Sequence, residues 1–215
     1  MALDPKKTLD AYRAKRGEFR ILEVPLMQYL MVDGAGDPNS AQAYQDAVSA
    51  LFPVAYTLKF ASRDQLGIDT VVMPLEGQWH APDMESFTSR RDKSAWEWTL
   101  MIMVPEHVTR EMFDRAVDTV EEKLAKKKQA SPALRSVRLE TLDEGLCVQT
   151  LHVGSYDDEA PVLDELHHRF IPENGLAMTG LHHEVYLSDV RRVDPSKLRT
   201  CLLYTSDAAD DLLCV

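Results

Sequence analysis

Glu184 lies in the run Gly180-Leu-His-His-Glu-Val-Tyr-Leu-Ser-Asp189, one acidic side chain in an apolar neighbourhood. A carboxylate in such a setting can serve as a base, as a counter-ion or as a ligand for water, since lost hydration raises its affinity for each. The run has the composition of a short strand, along which successive side chains alternate. Leu181, His183, Val185 and Leu187 then share one face, and His182, Glu184 and Tyr186 share the other. The first face is expected in the core, and the second sets an acid beside an aromatic hydroxyl. A solvent-facing glutamate on an edge strand would give the same text, so the reading turns on whether other residues build a pocket around it.

Further candidates fall nearby. Trp79, Trp96 and Trp98 are the chain's three tryptophans and lie within twenty positions. Trp96 and Trp98 are two apart on an expected strand and so share a face. Core packing is the ordinary use of tryptophan, and a wall for a flat aromatic ligand is the alternative. Glu76 adds a carboxylate to the same hairpin, and Tyr156 adds a second phenol in the later half. No metal is expected, because His167-His168 and His182-His183 are adjacent pairs without the spacing that aligns two ligands on a helix. No cofactor is expected either: Gly34 and Gly36 lack the third glycine or the Gly-Lys-Ser/Thr ending of a phosphate loop.

The chain has 215 residues, 45% of them hydrophobic, which is ample for a buried core. No apolar run reaches the ~18 residues that a membrane span needs, and the N-terminus lacks the apolar stretch of a signal peptide, so a cytoplasmic protein with no membrane partner is expected. A net charge of −11 argues against a nucleic-acid groove, which requires a basic face. Cys147, Cys201 and Cys214 are too few and too irregular for a disulfide framework, and Cys147 reads as inert core. From Cys201 the text Cys-Leu-Leu-Tyr-Thr-Ser-Asp-Ala-Ala-Asp resembles a translated transposon-type sequencing adapter. Residues 201–215 are therefore expected to be a non-native tail.

The elements that must position these residues can be taken in order. Residues 1–20 read as a loose polar N-terminal arm or a short helix. A strand from Ile21 runs into a turn at Asp33–Asn39, and Asn39 or Ser40 is expected to cap a helix that reaches about Ala61 and is kinked or split by Pro53. Strands over Thr70–His80 and Ser94–Val104 follow, then a polar loop is expected between them over 81–93, and an amphipathic helix over Thr109–Lys127. Gln129–Pro132 reads as a linker. Strand text over Val137–Val153, broken near Asp143-Glu-Gly145, leads to a helix with Pro161 in its first turn, the Glu184 strand and a last strand from Leu198.

The chain thus writes strand, glycine turn, helix, strand, strand twice. The expected fold is α+β: one domain over 21–200 made of two pseudo-repeats, about 21–130 and 131–200, whose antiparallel sheets flank a central ligand cleft. In that register Glu76 and Glu184 are counterparts.

Four segments carry a resemblance: Tyr56-Thr-Leu-Lys-Phe60, Val72-Met-Pro-Leu-Glu-Gly77 with Trp79, Trp96-Glu-Trp-Thr-Leu-Met-Ile-Met-Val-Pro105 and His182-His-Glu-Val-Tyr-Leu-Ser-Asp-Val-Arg-Arg192. Over Leu22 to Thr200 the chain resembles the GyrI-like small-molecule-binding domain family, above all its stand-alone cyclopropanoid cyclopropyl hydrolases. The resemblance implies a duplicated, SHS2-like fold and a ligand cleft containing a glutamate. It places that glutamate at Glu184, with Tyr186, Trp79, Trp96 and Trp98 as cleft walls; the chemistry of the residues themselves adds Tyr186 as a second catalytic group and Glu76, Tyr156 and His182 as further ligand-binding candidates. It implies hydrolysis or sequestration of a flat hydrophobic electrophile. A non-catalytic binder or sensor of a cationic aromatic molecule is the first alternative. An interaction protein of the gyrase-inhibitor type, with a protein partner, is the second.

Overall fold

Pro25 interrupts the first apolar run, because it has no N–H to give to a ladder. The computed structural model, which describes residues 2–80 and 92–208, accordingly has two strands where one is expected: β1 (Arg20–Val24) and β2 (Met27–Ala35). Six more follow: β3 (Glu76–His80), β4 (Glu97–Val104), β5 (Arg138–Leu142), β6 (Gly145–Val153), β7 (Leu176–Tyr186) and β8 (Arg199–Ala208). The principal helices are α1 (Gln42–Leu66), α2 (Arg110–Lys126) and α3 (Ala160–Glu165). Among the described residues, no helix is long and apolar enough to cross a membrane.

The chain divides into two compact units, one of Met1–Thr8 with Met27–Leu142 and one of Leu9–Leu26 with the chain from Asp143. In the first the strand order is β3-β4-β2-β5, and in the second β7-β8-β6-β1, and neighbouring strands within each order run antiparallel. Each therefore contains strand, helix, strand, strand in sequence, which is the expected duplication. The boundary near residue 130 is corrected: each outer strand is supplied from the other side of it, β5 to unit 1 and β1 to unit 2.

Unit 1 departs from expectation at three points. Pro53 lies inside a continuous α1, its carbonyl accepting a hydrogen bond from Thr57 Oγ1 at 2.8 Å. Asn39 and Ser40 do not cap α1; Asp37 organises that turn instead, its Oδ1 accepting from Asn39 N and Nδ2. Pro74 keeps residues 71–75 out of the ladder, so β3 begins only at Glu76. The amphipathic helix expected from Thr109 is present as α2, and Thr109 is its cap, with Oγ1 accepting from Met112 N at 3.2 Å. The loop expected over 81–93 lies almost wholly outside the described residues, as does Cys214.

Unit 2 corrects two further expectations. The N-terminal segment is not loose there, since Ala11, Tyr12 and Ala14 are buried and Ala11 O accepts from Gln149 Nε2 at 2.5 Å. Nor do residues 201–208 form a tail. They are most of β8, which lies between β6 and β7 and buries Cys201, Leu202, Leu203 and Tyr204. The adapter-like text alternates and is rich in leucine, tyrosine and threonine, so it meets the physical demands of an interior strand. Tyr204 packs with Val148, Leu166 and Ile171 as one cluster beneath α3 and the turns that follow it.

Candidate functional site

Register fixes the neighbours of Glu184. His182 pairs with Tyr204, Glu184 with Leu202 and Tyr186 with Thr200, so the row His182, Glu184, Tyr186 lies on the face that carries Tyr204 and its cluster with Leu166. His182 and Glu184 touch directly, with Nε2 and Oε1 2.8 Å apart. An ionised carboxylate can only accept, so the imidazole donates through Nε2–H. The two side chains are 5% and 12% exposed, which removes most competing water from the bond. Beyond them the half-buried rings of Tyr186 and Tyr156 meet edge to face at 5.6 Å. The structure thus brings together Glu184, Tyr186, Tyr156 and His182.

Tyr204 completes this layer and was not among the expected site residues. Its ring stacks on His182 at 4.6 Å, and His167 meets it edge-on at 4.5 Å. Burial, then the carboxylates of Glu184 and Glu159, push the Tyr204 phenol well above its ordinary range, so it is neutral at physiological pH. Burial also holds His167 down to about 4, helped by His182 and His168. His167 sits in the π-helical turn Leu166–Phe170 that continues α3. Such a turn widens the helix by one residue and is often used to aim a side chain.

On the opposite face of β7, His183 Nδ1 lies 3.1 and 3.0 Å from the two oxygens of Glu144. Both residues are buried, and their sequence separation of 39 gives no signal by spacing. Cys147 lies close to the same glutamate, its Sγ 3.7 Å from the Glu144 carbonyl. Burial, then the charge of Glu144, pushes its thiol up to about 12, so it is not a nucleophile.

The tryptophans belong to unit 1. Trp98 pairs with Gly34 across β2 and β4, and its indole lies over that glycine; a Cβ there would stand 2.5 Å from Trp98 Cζ2. Trp98 Nε1 donates to Gly36 O at 3.2 Å. Tyr44 of α1 meets the Trp98 ring at 5.4 Å and the Trp79 ring at 6.4 Å, and Trp79 meets Trp96 at 5.6 Å. Trp79 and Trp98 are buried, while Trp96 is half-buried with the Lys93 ammonium 5.8 Å from its ring centre. Glu76 is 1% exposed but three positions from Trp79, so alternation sends the two to opposite faces. Glu184 shares the α3 face, whereas Glu76 turns away from the tryptophans and α1. The two glutamates occupy corresponding strands but are not counterparts in facing.

The sequence profile of the GyrI-like small molecule binding domain matches residues 17–204. The chain belongs to the GyrI-like family. This GyrI-like chain is similar to a conserved protein from Listeria innocua, with 35% identity over 95% of this chain and 100% of the other, and a TM-score of 0.83. It is also similar to a hydrolase from Listeria innocua, with 34% identity over 96% and 100% of the two chains and a TM-score of 0.82. The C-terminal domain of EcmrR, at 10% identity over 89% and 98% and a TM-score of 0.54, shares the fold alone. No curated protein shows significant similarity to the chain.

Proposed function

We propose that this GyrI-like protein hydrolyses a flat, hydrophobic electrophile of the cyclopropanoid class, with Glu184 as general base. The observation that carries the reading is the partly desolvated Glu184 carboxylate, bonded through Oε1 to His182 and flanked by Tyr186 and Tyr156. The similarity to a Listeria hydrolase over nearly the whole chain supports catalysis over binding alone. Glu184 Oε2 takes a proton from water as the water oxygen bonds to a cyclopropane carbon. One ring C–C bond breaks, and its electron pair passes into a conjugated carbonyl, whose oxygen is protonated in turn. Water is added overall and nothing leaves. Tyr186 or Tyr156 donates a hydrogen bond to that oxygen as its charge develops.

Glu184→Gln keeps shape and removes the base. Its kcat on a spirocyclopropyl dienone, followed by loss of dienone absorbance, is expected to fall by about 10²–10⁴-fold. Unchanged turnover would sink the reading. A binder of lipophilic cations is the second reading, favoured by the same carboxylate beside an aromatic pair. It expects wild-type protein to bind a cationic dye and leave the dienone intact, with Glu184→Gln losing cationic dyes but not neutral ones.

A further inference from the structure

We infer that His182 is the positioning residue for Glu184, fixing its carboxylate in one orientation so that Oε2 is the oxygen presented to water. This rests on the reading of Glu184 as the reacting carboxylate. Residues two apart on a strand lie side by side, and each is normally free to choose its own rotamer. Here neither is. His182 Nε2 and Glu184 Oε1 are 2.8 Å apart, and the imidazole is pinned from behind by the Tyr204 ring, at 26° and 4.6 Å. His167 meets the Tyr204 ring edge-on at 4.5 Å, and Tyr204 itself is packed with Val148, Leu166 and Ile171.

The strand itself is adjusted to make this arrangement. Met178 pairs with Ser206, and the next registered pair is His182 with Tyr204. Residues 179–181 therefore stand against Thr205 alone, an insertion of two residues. An even insertion preserves facing but slides the strand. Uninterrupted pairing from Met178 would set Gly180 opposite Tyr204 and His182 opposite Leu202. The bulge instead delivers His182 onto the tyrosine and leaves Glu184 beside it. Its tightest point is Gly180, where a Cβ would stand 2.6 Å from Thr205 Cβ.

The ionisable groups around His182 are Glu184 on its own strand, Tyr204 on β8 and His167 from the turn after α3, with Glu159 acting on Tyr204. During the proposed step His182 neither gains nor loses a proton. Its Nε2–H remains on Oε1 while Oε2 receives the proton of water, so its contribution is orientation.

His182→Ala is expected to lower kcat on the spirocyclopropyl dienone by about 10–10²-fold with KM changed less than about twofold. His182→Gln, whose amide nitrogen can stand where Nε2 does, is expected to recover most of that loss. Wild-type kcat in His182→Ala, or no recovery in a folded His182→Gln, overturns the inference. The ¹⁵N shifts of the His182 imidazole provide a readout that needs no substrate. They are expected to show a single Nε2–H tautomer in the wild type and a mixture in Glu184→Ala; an Nδ1–H tautomer in the wild type overturns the inference even if the variants fail to fold. Full turnover in Glu184→Gln removes the hydrolase reading, and the tautomer then judges the His182–Glu184 bond by itself.

Discussion

The helix-covered side of unit 1 holds Trp79, Trp98 and Tyr44 packed against Gly34, whereas the corresponding side of unit 2 holds His182, Glu184, Tyr204 and His167. The two units share a strand order, yet one face is filled with rings and the other with groups that titrate or donate. Aromatic filling adds packing with little polar surface to satisfy, and the buried Trp98 indole N–H finds the Gly36 carbonyl. Ionisable filling sacrifices some stability, since each buried polar group must be satisfied or held neutral. A duplicated scaffold can separate these roles, leaving one repeat to packing while the other carries chemistry.

Substitution of Gly34 should break the dry side most severely. Gly34→Ala places a methyl inside the Trp98 indole and is expected to lower unfolding free energy by about 3 kcal/mol in a urea titration, with a red shift in tryptophan emission. Retained stability would mean that the indole has room to move and that the side is not tightly packed.

The wet side should instead respond to pH. His167 in the folded protein titrates at about 4, below its ordinary 6.5, so between these values the unfolded chain binds the extra proton. Stability from this residue is thus complete above pH 6.5 and is lost as pH falls toward 4. After discounting for its partial exposure, the loss is expected to be about 2 kcal/mol. His167→Gln should flatten that limb of the stability profile, and an unaltered limb would show that another group governs it.

A smaller effect marks the baseline for a change outside both faces. Thr109→Ala removes the Oγ1 cap of α2 and is expected to lower stability by about 1 kcal/mol, with kcat unchanged. A loss of turnover there would contradict the separation of roles.

Local features were legible in the sequence because they are written in adjacent residues. Alternation gave the shared facing of His182, Glu184 and Tyr186, and Thr109 marked the start of α2. The same alternation carried the opposite facing of Glu76 and Trp79, though proximity in the hairpin suggested a joint site. What could not be read is what distant segments decide. Pro53 is tolerated within α1, an effect of packing that overrides the local penalty. The bond between Glu144 and His183, the contact of Tyr44 with the tryptophans and the stack of Tyr204 on His182 each join separate elements. Tyr204 is hidden for another reason: its segment combines a likeness to adapter text with a β-forming composition, and only the second bears on structure.

The placement of β1 also has a consequence during synthesis. Unit 1 has all its strands once Leu142 has been made, whereas β1 pairs with β6, which begins only at Gly145 and in turn pairs with β8. At about 5–20 residues per second the ribosome needs several seconds to add those partners. For that interval Leu22 and Val24, buried in the finished protein, belong to a strand with no ladder to join. The first of these eight strands to leave the ribosome is among the last to be used, so the nascent chain carries an open edge that a chaperone or a neighbouring copy can reach.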